Sequence, residues 1–254
     1  RFYAGKIELF NEYLKWAKIF FANLSVSDED IILNLELLKQ ALAAKLPPEM
    51  HAITSNFINE GIEAYKSQSK IPLSYIDDLN PHKVSAENYL NYLIMGEKKA
   101  AYDLIMSDVN NGVSIRDIYL NIFQVTQRET GRLWQMNKIS VAQEHYITAV
   151  TQLIMSQLYP FIFTGQNNGK RIIVSCINGE LHELAPRMVA DLFELDGWNS
   201  YFYGANTPQE SLINEIASIK PDLFAISATM TFNLMKVEEL IRKVKNNSET
   251  KDIK

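Results

Sequence analysis

The sequence has almost no cysteine, no excess of positive charge and no long apolar run, and each absence excludes a class of protein. Cys176 is the single cysteine among 254 residues, which rules out a disulfide framework and favours a reducing compartment. Lysine and arginine total 25 against 30 acidic residues, so no electrostatic footprint for nucleic acid is evident. The most apolar stretch, residues 148–163, is interrupted by polar side chains and is too short to span a bilayer. We therefore expect a cytoplasmic protein that contacts neither nucleic acid nor a membrane directly.

What is present is a hydrophobic pattern that changes its period along the chain. Residues 1–70 show helical spacing in three segments, the first starting near Phe2, and a polar linker broken by two prolines follows. Residues 84–166 are again helical, with turn residues placed as for four helices. From residue 170 to residue 254 the pattern becomes βαβαβα, which is typical of a parallel sheet with crossover helices.

The strand–helix region predicts an incomplete domain. The third predicted strand, residues 223–226, is continuously apolar, as a central strand of a parallel sheet should be. Three strands are fewer than the roughly five of a flavodoxin-like sheet, and an exposed strand of this apolarity would favour aggregation. We therefore expect about two more strand–helix units beyond Lys254, and a chain that starts at Arg1 indicates part of a longer protein.

The predicted fold class is α followed by α/β. It consists of an N-terminal helical bundle at 1–70, a four-helix bundle at 84–166 and a Rossmann-like (flavodoxin-like) parallel-sheet domain at 170–254, truncated at its C-terminal end. A helix is expected to begin at His182 directly after the first strand of that domain.

One histidine lies where open α/β sheets bind their ligands. His182 follows the first predicted strand and precedes a helix, which places it at the carboxyl edge of the sheet. Glu180, two residues earlier, could accept a hydrogen bond from the imidazole. One histidine without further nitrogen or sulfur ligands nearby does not make a zinc site, but it can be one axial ligand to a metal held by a macrocycle. A polar surface or capping residue is the alternative interpretation.

A second group of side chains precedes this histidine. Val141, Glu144 and His145 share one face of a predicted helix because their spacing is i, i+3 and i+4. Trp134 lies across a short loop from them. A valine, a carboxylate, an imidazole and an indole together suit a large, flat, partly polar ligand. Taken singly, Trp134 is typical of a core residue and the Glu144-His145 pair of a solvated helix face.

Five motifs carry a resemblance to a known family. They are Trp134-x9-Glu144-His145, Glu180-x-His182-x-x-Ala185, Gly197-Trp198, Tyr203-Gly204-Ala205-Asn206-Thr207-Pro208 and Ser227-Ala228-Thr229. In combination they resemble cobalamin-binding regulatory proteins, in particular light-sensing modules that join a four-helix cap to a Rossmann-like cobalamin-binding domain. The resemblance covers residues 85 to 250 or so and leaves the first bundle outside it. It implies cobalamin as the cofactor, in its adenosyl or methyl form.

The resemblance also implies a role for each matching residue. His182 would be the lower axial ligand to cobalt, in place of the dimethylbenzimidazole of the cofactor, and Glu180 would accept a hydrogen bond from it. Ser227 and Thr229 match residues that contact the nucleotide tail, and the group around Trp134 matches residues that cover the upper face. The expected cofactor-binding residues are Trp134, Val141, Glu144, His145, Glu180, Leu181, His182, Glu183, Leu184, Tyr203, Gly204, Ser227, Ala228 and Thr229.

Two positions depart from the family pattern. Ala185 stands where the pattern usually has glycine, three residues after the axial histidine, close to the path of the nucleotide tail. Gln135 stands where some light sensors carry a histidine that takes the upper axial position after photolysis. The glutamine argues against a stable bis-histidine photoproduct.

Three functions remain open from the sequence. The first is a bacterial sensor of the photoreceptor type, not an enzyme, in which light or a change of upper ligand moves the helical cap. Such a homo-oligomeric protein would signal through a partner protein or through a domain absent from this chain. The second is a methyl carrier of a corrinoid methyltransferase system, although Glu180 and Ala185 depart from the usual Asp-x-His-x-x-Gly. The third is a fold of this type that binds haem or no corrinoid.

Overall fold

The computed structural model describes residues 7–69, 72–163 and 166–254, which divide into two compact units. The first unit contains the chain up to residue 77 together with residues 128–145, and the second contains residues 78–127 and 146–254. The predicted domains at 1–70, 84–166 and 170–254 are a different division of the chain and stay a prediction. No helix within the described ranges is long and apolar enough to cross a membrane.

Three helices form the amino-terminal part of the first unit. They are α1 (Ile7–Ala22), α2 (Asp28–Lys45) and α3 (Pro48–Ser67). The Ser27 side chain caps α2 by accepting a hydrogen bond from Asp30 N, which satisfies an otherwise unpaired amide of the first turn. At Gly61 a Cβ atom would lie 2.4 Å from the Phe10 ring, so glycine lets α1 approach α3 closely. The three predicted helices are confirmed, and the predicted start near Phe2 lies outside the described residues.

The buried core of this bundle draws on all three helices. Its fully buried members are Leu14, Leu35, Ile58, Ile62 and Tyr65. Ile58, Ile62 and Tyr65 of α3 follow one another at helical spacing, which places them on one face of the helix.

The next helices agree in number with the sequence pattern but contain an irregular turn. They are α4 (Lys83–Ile94), α5 (Lys98–Asn110), α6 (Ile115–Asp117), a π-helical turn (Ile118–Phe123), α7 (Gln124–Gln135), α8 (Val141–Gln157) and α9 (Tyr159–Ile162). The helix α6, the π-helical turn and α7 follow one another without a break, so residues 115–135 make one of the four predicted helices. The short α9 is an addition. The π-helical turn is packed inward, since Ile118, Tyr119 and Phe123 are fully buried.

The strand–helix region forms a three-stranded parallel sheet, as predicted. Its strands are β1 (Arg171–Cys176), β2 (Asn199–Gly204) and β3 (Leu223–Ser227), and its helices are α10 (Leu184–Leu195), α11 (Gln209–Ile219) and α12 (Leu234–Asn246). The strand order is β2-β1-β3, with both pairs parallel. Every strand therefore ends at the same edge of the sheet, where ligands of open α/β folds bind.

The central position predicted for the third strand depends on further strands beyond Lys254 and stays a prediction. The central strand is β1, and β3 pairs with β1 alone among the described strands. Phe224 and Ile226 pack into one hydrophobic cluster, whereas Leu223 and Ala225 pack into another. Alternate side chains of a strand point to opposite faces of the sheet. Because both faces of β3 are covered, all of its side chains can be apolar without the strand having to be central.

The outer side of β3 carries hydrogen bonds as well. The Phe224 amide donates to the Lys254 carbonyl at 2.9 Å, and the Lys254 amide donates to the Asp222 carbonyl at 3.4 Å. Further strand–helix units beyond Lys254 stay a prediction.

Candidate functional site

The candidate site is the loop that joins β1 to α10, at the carboxyl edge of the sheet. The helix predicted to begin at His182 begins instead at Leu184, so His182 lies on the loop itself. Its side chain is 60% exposed, whereas Glu180 is 1% exposed. The loop therefore presents an imidazole to the outside and keeps the carboxylate inside.

Glu180 holds the loop through one of its two carboxylate oxygens. Glu180 Oε1 accepts hydrogen bonds from Leu181 N at 3.1 Å and from His182 N at 3.2 Å. The same oxygen is hydrogen-bonded to His182 Nδ1. The imidazole is thus tied to the carboxylate through both its main chain and its ring.

The other oxygen of Glu180 ties the loop to the end of β3. Glu180 Oε2 accepts hydrogen bonds from Thr229 N at 2.8 Å, Met230 N at 3.0 Å and Asn233 Nδ2 at 3.4 Å. Asn233 is fully buried, which makes its amide a fixed donor. Six donors from two loops therefore converge on one buried side chain.

These hydrogen bonds determine the charge of Glu180. Burial alone would raise the pKa of the carboxyl, but the hydrogen bonds from Met230 N, the His182 ring and main chain, and Thr229 N outweigh it and lower the pKa to about 2. An ionised carboxylate only accepts hydrogen bonds. In the neutral imidazole the proton therefore lies on Nδ1, and His182 Nε2 carries the lone pair that a metal would need.

The donor set suits one kind of metal centre. No group of three or more histidine, cysteine, aspartate or glutamate side chains that could hold a metal ion occurs in the described part of the chain. A single exposed imidazole nitrogen suits a metal whose other ligands come from a macrocycle. His182 could therefore hold such a metal through one nitrogen.

The loops that meet at Glu180 also expose large apolar side chains. Leu181, Met230 and Phe232 are all exposed, and exposed apolar groups of this kind mark contacts with ligands or partners when they lie together. Sequence reasoning selected Leu181 but missed the other two. Phe232 lies in a 3₁₀ turn, residues 231–233, that comes directly before α12.

Glu183 joins this loop to the end of β2. Its Oε2 accepts a hydrogen bond from Ala205 N at 3.0 Å, and its Oε1 accepts one from Gln152 Nε2 at 3.4 Å. Gly204 has φ +68°, and a Cβ atom there would lie 3.0 Å from Glu183 Oε2. Glycine at this position thus permits both the backbone turn and the approach of Glu183.

Other expected residues are placed less directly. The Tyr203 hydroxyl donates to Glu215 Oε2 of α11 at 3.0 Å. Leu184 is buried at the start of α10, Ser227 ends β3, and Ala228 packs against the core beneath the sheet. The structure therefore gathers Glu180, Leu181, His182 and Thr229 in hydrogen-bonded loops, whereas it turns Tyr203 toward α11.

Sequence reasoning also missed three residues that support the loop. Gly179 N donates to Asn206 Oδ1 at 3.1 Å, and Lys236 Nζ donates to Asn178 O and Asn233 Oδ1, each at 3.0 Å. Asn206 lies within a quoted motif, but no local pattern shows that Asn233 and Lys236 reach back to the loop after β1.

The remaining expected residues belong to the first compact unit. Trp134 is half-buried and lies against Trp16 and Phe20 of α1. Val141 is exposed at the first position of α8. Glu144 and His145 are adjacent on α8, with Oε2 of the first 2.5 Å from Nδ1 of the second.

Two family models match the chain. Residues 85–159 match a model described as a B12 binding domain, and residues 170–254 match a second model of the same description. Together the two matches cover more than half of the chain. The chain carries two B12-binding domains. Its cofactor is cobalamin, and its fold is a helical cap followed by a Rossmann-like domain.

A curated relative is the HTH-type transcriptional repressor CarA of Myxococcus xanthus. It is 27% identical over 90 residues, which are 35% of this chain. The match spans 31% of the length of that repressor, so the similarity is between one region of this chain and one region of the repressor.

Two solved structures are similar in fold. The monomethylamine corrinoid protein of Methanosarcina barkeri has a TM-score of 0.61 at 17% identity, over 68% of this chain and 82% of that chain. The methanol:cobalamin methyltransferase complex MtaBC from the same organism has a TM-score of 0.39 at 14% identity, over 73% and 72% of the two chains. The first likeness supports the fold alone, and the second is too distant to carry an argument.

Cobalamin fits the donor set of this B12-binding protein. The corrin ring would supply the equatorial ligands that the described residues do not, and the one exposed nitrogen of His182 would supply an axial ligand. Cobalamin is therefore preferred to the alternatives of haem or of no corrinoid.

Proposed function

We propose that this chain is a cobalamin-binding sensor or regulator, in which His182 Nε2 is the lower axial ligand to cobalt. One observation carries the proposal. The buried, ionised Glu180 carboxylate keeps the imidazole proton on Nδ1, while the ring itself is 60% exposed. Because the position of its proton and the orientation of its ring are already set, this histidine needs little reorganisation to bind a metal. The hydrogen bond to the carboxylate also makes the imidazole a more basic ligand.

The neighbouring residues would complete the lower side of the site. We propose that Leu181 contacts the lower face of the cofactor and that Ser227, Ala228 and Thr229 contact the nucleotide tail, as the resemblance implies. Glu183 would keep the loop in register with the end of β2 through Ala205 N. These roles agree with the position of the residues at one edge of the sheet.

The upper side is proposed from the resemblance. Trp134, Val141, Glu144 and His145 would cover the upper face and discriminate between a methyl and an adenosyl group. When bound, cobalamin supplies a cobalt–carbon bond to an alkyl group that visible light can break, and the protein supplies orientation and protection. A switch needs two states that contact the cofactor differently.

The sensor is preferred to the methyl carrier on two grounds. The curated relative CarA is a transcriptional repressor, although the match covers only part of it. Glu180 and Ala185 also depart from the Asp-x-His-x-x-Gly of methyl carriers. A regulator of this kind would act on a partner protein or through a further domain. A homo-oligomer, a cytoplasmic location and a bacterial source stay predictions.

The test compares cofactor retention and assembly in the dark and in the light. The full chain is mixed with adenosylcobalamin or methylcobalamin, desalted in the dark, and then exposed to green light. We expect retained cofactor whose visible spectrum and elution volume both change on illumination. Retained methylcobalamin with no change of elution volume would favour the methyl carrier, and loss of both forms on desalting would contradict the proposal.

A further inference from the structure

The amino-terminal bundle holds Trp134 directly. The Trp134 ring lies 6.0 Å from the Trp16 ring and 5.5 Å from the Phe20 ring, centroid to centroid. Trp16 and Phe20 are themselves stacked 5.0 Å apart, one turn from each other on α1. Aromatic pairs at these separations stabilise each other beyond the area that they bury. The side chain expected over the cofactor is therefore part of a cluster built by α1.

The residue after Trp134 is fixed to the same helix. Gln135 is buried, and its Nε2 donates a hydrogen bond to the Trp16 carbonyl oxygen at 2.9 Å. A buried amide that lost this acceptor would leave an unsatisfied donor, which is costly. The glutamine at this position thus has a structural use, namely attachment to α1.

A second attachment comes from the segment that follows α3. Glu129 is buried, accepts a hydrogen bond from Tyr75 N at 3.0 Å and is paired with Arg132. Arg132 Nη1 in turn donates to the Pro72 carbonyl oxygen at 3.3 Å. Arg128 lies over the Tyr75 ring, 5.4 Å from its centroid. Residues 72–75 therefore bind the turns of α7 that precede Trp134, through hydrogen bonds and a contact between a guanidinium and a ring.

We propose that the amino-terminal bundle positions Trp134, so that Trp16 and Gln135 are positioning residues for discrimination at the upper face of the cofactor. The inference rests on the proposed function, because it takes Trp134 as an upper-face residue. Three contacts from α1 and three from residues 72–75 converge on residues 128–135. The bundle would then set the upper-face selectivity without touching the cofactor itself.

The experiment substitutes Trp16 and follows two quantities in the full chain. Trp16 is 37% exposed, so Trp16→Ala removes the contact with Trp134 without emptying the core of the bundle. In the cofactor-free protein we expect amide hydrogen exchange of residues 128–136 to become about fivefold faster. We also expect the ratio of the dissociation constants for adenosylcobalamin and methylcobalamin to change by at least about threefold.

Two variants serve as controls. Tyr13→Ala removes an exposed ring that stacks on Trp16, one turn earlier on the same helix, and should leave both quantities near the wild type. Trp16→Phe keeps an aromatic ring against Trp134 and should restore most of the loss.

The outcomes separate this inference from the function on which it rests. Unchanged exchange at residues 128–136 in Trp16→Ala would overturn the inference. Equal weakening of both cofactor forms would also overturn it, because a purely structural role weakens both alike. A wild-type chain that retains neither form would overturn the proposed function and the upper-face role with it.

Discussion

Two histidine–glutamate pairs occur in the part of the chain that the structure describes, and they are held in very different ways. His182 is bonded to Glu180, a buried carboxylate that also accepts four main-chain amides and one side-chain amide from two loops. His145 is bonded to Glu144, its neighbour on one helix, and the two side chains are 74% and 33% exposed. The first pair is fixed by tertiary structure, whereas the second is held by a local contact at the surface.

The difference indicates which pair is ready to bind a metal. Six donors hold the ionised Glu180 carboxylate, and one of these donors is His182 Nδ1, which orients the ring. His145 is largely exposed, and its contact with Glu144 lies at the surface, where such contacts contribute little. The first arrangement suits a permanent axial ligand, and the second suits a residue whose contacts change between two states.

The largest effect on stability is expected from Glu180→Gln. The wild-type carboxylate accepts hydrogen bonds from six donors, three on each oxygen. In either orientation of the glutamine amide, its NH₂ group, itself a donor, would face three N–H donors and leave them without an acceptor. We expect the free energy of unfolding to fall by about 3–5 kcal/mol. Chemical unfolding followed by circular dichroism measures it.

The matched variant at the other pair is Glu144→Gln. Because this carboxylate is partly exposed and bonded to its neighbour on the same helix, we expect a change within about 0.5 kcal/mol. Equal losses in the two variants would contradict the distinction between a tertiary and a local pair.

A smaller effect is expected from His182→Ala. Glu180 keeps five other donors and the imidazole is largely exposed, so the free energy of unfolding should fall by only about 1 kcal/mol. The affinity for cobalamin should fall by about 10–100-fold, because the axial ligand is lost. Equilibrium titration followed by absorbance measures the affinity, and His82→Ala, in the same compact unit, is the control. Unchanged affinity in His182→Ala would remove this histidine from the ligand role.

A further test concerns a buried carboxylate of the first unit. Burial raises the pKa of Glu129, but hydrogen bonds from Arg132 and Tyr75 N outweigh it and lower the pKa. A lowered carboxyl pKa contributes stability above the ordinary glutamate range and loses it as the pH falls toward the folded value. At neutral pH we expect Glu129→Gln to cost about 2 kcal/mol, and the difference from wild type should shrink below about pH 4.

Tryptophan fluorescence during urea unfolding at both pH values measures this, since Trp16 and Trp134 lie in the first unit. The control is Glu63→Gln, an exposed carboxylate paired with Lys66 on one helix, for which no such convergence is expected. A Glu129→Gln difference that stays constant down to acid pH would show that the ion pair with Arg132 does not stabilise the unit.

The sequence predicted the elements well because their signals are local. Helical spacing in residues 7–67 and the alternation of strands and helices after residue 170 are visible in short windows, and the structure confirms both. Strand order is a non-local property, so the apolarity of residues 223–226 shows that both faces of β3 are covered but does not determine its place in the sheet. The start of α10 was placed two residues early because the loop has the composition of a first turn.

The residues of the candidate site likewise divide into those with a local sequence signal and those without one. Glu180 and His182 were selectable because they follow a strand within one short motif. Asn233 and Lys236, which hold the loop from another element, carry no local signal. The contact of Trp134 with Trp16 joins residues far apart in sequence, and only the folded chain reveals that the first bundle reaches the predicted cap segment.

The central claim is that a protein histidine, and His182 in particular, is the lower axial ligand. Electron paramagnetic resonance of bound cob(II)alamin tests it directly, with the full chain labelled with ¹⁵N-histidine. We predict that the nitrogen splitting of the cobalt signal, a triplet with ordinary histidine, becomes a doublet with the label and disappears in His182→Ala. A triplet that persists in the labelled protein would mean that the cofactor's own base stays on cobalt, and this would contradict the account.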